Sequence, residues 1–199
     1  MNRSNLNVPT SFESRRLQLR SYRANDGPGY YAVGQRNHGH LMRYEADNVV
    51  MQLKDEKDAE TTVRELAALW SERKAFFLGG FDKSSRQFVL QVYVGPVCWD
   101  LPEFQIGFFV DKDYEGQGYV TEAVQATLEF VFHYLGAHRI SAECDETNTR
   151  CIRVLERCGM IREGLIRENK RNADGSISAT VLYGILRMEY EHPENGRKV

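Results

Sequence analysis

The chain has 199 residues, 26 Lys plus Arg against 28 Asp plus Glu for a net charge of −2, and 42% hydrophobic residues. That is the length of one domain with enough apolar side chains to fill a single core, which excludes a disordered chain. The charge excludes an overall basic field for a phosphodiester backbone, no apolar run reaches the roughly 18 residues of a membrane span, and the Asn-rich start has no signal-peptide core. The expectation is a cytoplasmic protein with neither nucleic acid nor membrane as partner.

Residues 1–11 read as a polar N-terminal extension. Residues 16–21 have the alternation of a strand, and Asn25-Asp26-Gly27-Pro28-Gly29 breaks it and opens a short helix. Over 55–74, an acidic first turn, a stripe of Val63, Leu66, Ala67 and Trp70 at i, i+3, i+4 and i+7, and a basic end describe an amphipathic helix. Residues 76–81 and 88–94 form an antiparallel hairpin through Asp82-Lys83-Ser84-Ser85, with Phe76, Phe77, Phe81 and Phe88 at core spacing. The apolar run 104–110 is a buried strand, and Gly107 inside it marks a bulge or a close backbone approach.

A charged loop with two glycines follows. Over 121–135, Val124, Leu128, Val131, Phe132 and Leu135 share one helical face and Gly136 closes the helix, after which 138–144 alternates as a strand. Two strands joined by such a helix lie parallel, so the fold class is α/β. A second helix runs over 148–158 on Cys151, Val154, Leu155 and Cys158 and stops at Gly159. Strands 160–170 and 177–190 flank the hairpin signal Asp174-Gly175. One domain over 12–191 and a loose tail over 192–199 complete the organisation. Cys98, Cys144, Cys151 and Cys158 lack CxxC pairs, and His38, His40, His133 and His138 lack metal spacing, so reduced thiols and no metal are expected.

The segment from Tyr114 to Thr121 joins a strand to a helix, where unpaired N–H groups and the helix dipole attract anions and glycines let a phosphate approach. Three readings compete: a dinucleotide turn, a coenzyme A pyrophosphate cradle, and a tight turn with no ligand. The dinucleotide turn requires a third glycine where Thr121 stands and glycines directly behind the strand, yet Asp111 to Glu115 intervene. Asp145 imitates the ribose-binding acid, so a dinucleotide-dependent oxidoreductase stays as a rival.

The stretch Val110-Asp111-Lys112-Asp113-Tyr114-Glu115-Gly116-Gln117-Gly118-Tyr119-Val120-Thr121 resembles the acetyl-CoA signature of the GNAT N-acetyltransferase superfamily. It departs at Glu115, where the family favours Arg or Gln, and at Val120, where it favours Gly or Ala. Asn148-x-x-Cys151 with Val154-Leu155-Glu156-Arg157-Cys158-Gly159-Met160, and then Glu163 to Glu168, are similar to the branch that acetylates ribosomal-protein N-termini.

The resemblance implies a mixed, mostly antiparallel sheet with one parallel pair splayed around a cleft for acetyl-CoA, the cosubstrate. It implies that Phe108, Phe109 and Val110 pair with pantetheine, that Glu115, Gly116, Gln117, Gly118, Tyr119, Val120 and Thr121 form the pyrophosphate loop, and that Asn148 and Cys151 also touch the coenzyme. Arg139, Arg150, Arg153 and Lys112 are basic candidates beside the phosphates. Acetyl transfer requires a base for the amine and a proton for the leaving thiolate. The branch's usual strand Glu is Gln105 here, and Glu103 shares its strand face; Cys151 stands where the branch has Ser, and Tyr183 is a further acid candidate. The expected acceptor is the α-amine of a protein or peptide. A small-molecule amine, a non-catalytic acyl-CoA-binding role and a homodimer stay open.

Overall fold

A computed structural model describes residues 6–172 and 174–192. Its elements in chain order are β1 (Ser11–Glu13), β2 (Leu17–Ser21), α1 (Gly27–Glu45), α2 (Glu56–Ser71), β3 (Phe76–Asp82), β4 (Phe88–Cys98), β5 (Glu103–Val110), α3 (Tyr119–Tyr134), β6 (Arg139–Asp145), α4 (Thr149–Arg157), β7 (Ile161–Arg171), β8 (Ile177–Leu186) and α5 (Arg187–Glu191). One eight-stranded sheet has the order β1-β2-β3-β4-β5-β6-β8-β7. Among the described residues only the β5–β6 pair is parallel, as the intervening helix requires.

Successive residues on β5 face opposite ways, and the core divides accordingly. Phe104 and Ile106 belong to a cluster with Val124, Leu128 and Val131 of α3 and Leu155 of α4. Phe109 belongs to a second cluster with Tyr30 and Val33 of α1 and Val63 and Leu66 of α2. Trp70, at the end of α2, reaches the larger cluster and stands edge-on to Phe76 with centroids 5.2 Å apart.

Two expectations are corrected, and at Gly107 one of two alternatives is removed. The helix opened by Asn25 to Gly29 is not short but runs 19 residues, because its buried positions Tyr30, Val33, Gly34, Asn37 and Leu41 recur every three or four residues along a polar sequence. The last strand ends at Leu186, where Glu189 accepts from the Leu186 N–H at 2.8 Å and turns 187–191 into a helix. Gly107 carries no bulge, which leaves the close backbone approach; the register shifts lie at Gly80/Phe81 in β3, at Pro96/Cys98 in β4 and, in β7, at Arg162/Gly164 and Ile166/Lys170. Residues 193–199 of the expected tail and 1–5 of the extension lie outside the described residues, whereas Val8 is buried in the larger cluster.

Four carboxylates tie loops to the sheet. Asp82 is held well below its ordinary value by hydrogen bonds from the Ser84 hydroxyl, the Ser85 amide and the Tyr119 hydroxyl. Burial raises Asp111, Glu122 and Asp145, yet donors outweigh it in each: Arg36 and Asn37 on Asp111, Ser14 and Arg16 on Glu122, Ser178 and Thr147 on Asp145. A depressed folded pKa stabilises the fold above the unfolded value of about 4 and loses that contribution as pH falls through the folded value. The urea midpoint is therefore expected to be flat near neutrality and to fall steadily below about pH 4, with a shallower fall in Asp111→Asn; circular dichroism at a series of pH values checks this.

Candidate active site

The parallel pairing of β5 and β6 runs from Glu103↔Arg139 to Ile106↔Ala142 and stops. Beyond it β5 stays with β4 as far as Leu90↔Val110, and β6 stays with β8 as far as Asp145↔Thr180. The backbone groups that β5 would have given to β6 over 107–110 therefore face a cleft instead, as an edge inside the sheet. The cleft holds about 950 Å³ counted to its open mouth and is lined by Phe108, Phe109 and Val110 of β5, Cys144 of β6, and Cys151 and Val154 of α4.

At one end of this cleft stands the first turn of α3. Gly118, its N-cap, has φ +80° and Gly116 has φ +70°, a left-handed conformation that glycine adopts without a steric penalty. No side chain caps the helix, so the first-turn N–H groups are left pointing outward. The loop is braced from outside the cleft. Arg16 donates from its backbone and from Nε to Glu122 at 2.6 and 2.7 Å, and from Nη1 to the Gln117 carbonyl at 3.0 Å, with its guanidinium 3.9 Å from the Tyr119 ring centroid. The Tyr119 hydroxyl donates to Asp82 at 2.9 Å. Where β5 ends, buried Asp111 accepts from Arg36 and, at 3.0 Å, from Asn37 Nδ2, while the Lys112 N–H donates to Asn37 Oδ1 at 2.8 Å.

The expected coenzyme residues divide between wall and mouth. Phe108, Phe109, Val110, Glu115, Val120, Asn148 and Cys151 line the cleft. Gly116, Gln117 and Gly118 are exposed and Tyr119 and Thr121 half-buried at its rim. Glu115 accepts from Arg150 at 2.5 Å and stands 2.8 Å from His40 Nε2, so an arginine and a histidine already flank this acid at the mouth. Asn148 caps α4 by accepting from the Cys151 N–H at 3.1 Å. Cys144 and Cys151 face the cleft side by side; the hydrogen bond between them, then burial, pushes the Cys151 thiol far up, and the same hydrogen bond lowers Cys144. Cys151 is thereby held as a neutral thiol.

The proposed acid–base residues are not brought together. Glu103 accepts from Arg139 Nε at 3.0 Å at the paired end of β5, four residues before the strands part, and Arg139 also grips Glu163. That register removes Arg139 from the phosphate candidates: its partners are two carboxylates at the far end of the strand. Gln105 lies opposite Gly95 and Ser141, still in the paired region. Tyr183 is buried, donates to Glu156 at 3.1 Å, and is pushed up to about 12 by burial first and then by Glu156.

Glu45, at the C-terminal end of α1, is a residue the sequence did not single out. It lines the cleft and also a neighbouring cavity of about 580 Å³ on the α1 side, walled by Phe77, Tyr93, Gly107 and Phe109. Asn48 Nδ2 donates to Glu45 at 3.0 Å, and burial raises the carboxyl against that bond and the charge of Lys170. Glu45 ends a polar helix with weak periodicity, so only the folded arrangement marks it.

A family model described as an acetyltransferase (GNAT) domain matches residues 16–161. YjcK of Bacillus subtilis, named a probable N-acetyltransferase, is 44% identical over 64 residues, 32% of this chain and 35% of its own, so the match spans about a third of that relative. YnaD of the same organism, named an uncharacterized N-acetyltransferase, is 28% identical over 155 residues, 78% of this chain and 85% of its own. Among solved structures, a ribosomal-protein-S5-alanine acetyltransferase from Vibrio fischeri superposes with a TM-score of 0.79 at 21% identity, covering 92% of this chain and 99% of that one. RimL, a ribosomal L7/L12 N-acetyltransferase solved with coenzyme A, superposes at 0.77 with 16% identity, covering 90% and 97%.

The Asn148 cap is testable on stability alone. Asn148→Ala is expected to cost about 1 kcal/mol in urea unfolding, and Asn148→Asp to recover most of it, because either side chain accepts from the Cys151 N–H.

Proposed function

We propose, for a chain that belongs to the acetyltransferase (GNAT) family, that it moves the acetyl group of acetyl-CoA to a primary amine by direct attack, with no covalent acyl-enzyme, and that its preferred acceptor is the α-amine of a protein or peptide. The observation that carries this reading is the alignment of two unsatisfied sets of backbone groups along one cleft: the β5 edge after Ile106 and the uncapped first turn of α3. An extended amide-bearing arm ending in a pyrophosphate matches both. A dinucleotide has no strand-like arm for the first.

Each residue then has a task. The 107–110 backbone would pair with the pantetheine amides, and the N–H groups of Tyr119, Val120 and Thr121 would hold the pyrophosphate at the positive end of the α3 dipole. Arg150 and His40 would turn from Glu115 toward the added negative charge. The thioester supplies an electrophilic acyl carbon. Cys151, held protonated beside Cys144, would lie against the sulfur as a neutral thiol rather than act as an acid, because the bond to Cys144 and burial raise its pKa above the ordinary thiol value.

A magnitude favours the α-amine. At pH 7.5 an α-amine of pKa about 8 is partly neutral, whereas a lysine amine of about 10.4 requires roughly 4 kcal/mol to deprotonate. No strong base stands on β5, where Gln105 faces Gly95 and Ser141. The fold neighbours named as acting on ribosomal proteins are consistent with that acceptor class.

Acetyl-CoA at about 100 times its Kd is expected to stabilise the chain by about 2.7 kcal/mol, about 5–10 °C in Tm for this length, while NAD(H) gives no shift. Gly118→Val, which places a branched side chain at φ +80°, is expected to abolish the shift. Thiol release is expected to be faster with a peptide bearing a free N-terminus than with the same peptide N-blocked and carrying one lysine. No acetyl-CoA shift in the native chain, or lysine turnover exceeding N-terminal turnover, would overturn the corresponding half of the proposal.

A further inference from the structure

We infer that Glu45 is the catalytic residue that holds the acceptor's ammonium group and takes its proton, and that, as the one acid in the cavity beside the cleft, it selects amines carrying a single positive charge. The inference rests on the acetyl-transfer reading above.

Position carries it first. The coenzyme cleft and the cavity on the α1 side share four residues, Gly107, Phe108, Phe109 and Glu45, and Glu45 is the one with a charge. An amine in the cavity would approach the cleft past Glu45 and Gly107. A Cβ placed on Gly107 would meet only Tyr93 Cδ1, at 3.9 Å, so nothing in the protein fills the space before β5 at this point.

The carboxylate is also uncommitted. Among the described residues Asn48 is the one donor to it, at 3.0 Å on Oε2, and no cation lies within ion-pair distance. The other carboxylates considered for the site are occupied: Glu103 by Arg139 and Glu115 by Arg150. A half-buried acid with one neutral partner is suited to receive an ammonium group. Burial raises its pKa toward that of an amine, which makes it a better base than an exposed carboxylate. The titratable and charged groups that share its two cavities are Lys170 of β7, Glu143, Cys144 and Asp145 of β6, Arg150 and Cys151 of α4, Glu115 of the loop before α3, Tyr93 of β4 and, on α1 itself, His40 and Tyr44.

The cavity sets the substrate class. Phe77 and Tyr93, with centroids 5.0 Å apart, and Phe109 form apolar walls whose ring faces favour a cation, and Gln91 and Asn48 supply neutral polar groups. A second ammonium group on the acceptor would find no acid there. The bonds balance as follows. The bound R–NH3+ gives one proton to Glu45; the nitrogen lone pair forms the C–N bond; the C–S bond breaks; the second nitrogen proton ends on the coenzyme sulfur. Glu45 returns its proton to water, so one proton is released per amide formed.

The test compares the native chain with Glu45→Gln on acetyl-CoA and three acceptors: an alanyl peptide, phenethylamine and spermidine. Native turnover of the two monoamines is expected to exceed that of spermidine, with kcat/KM falling as pH drops through a pKa above the usual carboxylate range. Glu45→Gln is expected to keep the acetyl-CoA thermal shift, lose kcat/KM about 100-fold or more, and lose that acid limb. Glu45→Ala, partly rescued by added formate, is the second variant. The inference is overturned by spermidine as the best acceptor, by no monoamine turnover, by Glu45→Gln within threefold of native, or by an acid limb that persists in it and disappears in His40→Gln. The thermal shift of the native chain reports separately on the coenzyme reading.

Discussion

The structure depends on one interruption of hydrogen bonding, the loss of the β5–β6 ladder after Ile106 and Ala142. Buried backbone groups are rarely left unpaired, and here four residues of a central strand face a gap with continuous sheet on either side. Everything around the gap holds it open. Asp111, fixed by Arg36 and Asn37, pins the end of β5 to α1. The Asp145 carboxylate, fixed by Ser178 and Thr147, pins the end of β6 to β8. With both strand ends held by buried carboxylates on different neighbours, each strand is tied to its own side of the gap where the pairing stops.

A second consequence concerns charge. A chain of net −2 has no general attraction for a polyanion, so the proposed coenzyme reading requires a local one, which oriented N–H groups at one helix end can supply. Glu115 at the mouth keeps Arg150 and His40 together before any ligand arrives. A family-typical Arg or Gln at that position would leave those two side chains without an anchor. The departure from the family pattern is therefore matched by basic partners drawn from α1 and α4.

Much of this was legible in the residues. The 3.6-residue stripes of α2, α3 and α4 survive in the fold because each has one apolar face and a clear stop, and the glycine loop was readable because only left-handed backbone fits Gly116 and Gly118. What was not legible depends on register and on contacts between distant segments. Arg139 looks like a phosphate ligand in the sequence, and only its place opposite Glu103 shows that it is neutralised. Arg16 looks like an ordinary strand-end cation, yet it reaches over 100 positions along the chain to brace the loop. Helix α1 was underestimated because its buried face includes Asn37 and Gly34 rather than a run of large apolar residues. Glu45 shares its fate, since its meaning comes from two cavities that its own helix does not form alone.

The outer margins of the sheet bear on the life of the protein in a crowded solution. At one margin β1 is three residues long; at the other, β7 shifts register twice and turns through φ +52° at Glu168, between Arg167 and Lys170. Neither offers a straight row of free donors and acceptors to another chain. The sheet thus carries its one well-formed unpaired edge in the interior, where a small extended molecule fits and a neighbouring protein strand does not, so the feature that makes the fold receptive to a ligand is kept apart from those that would seed aggregation.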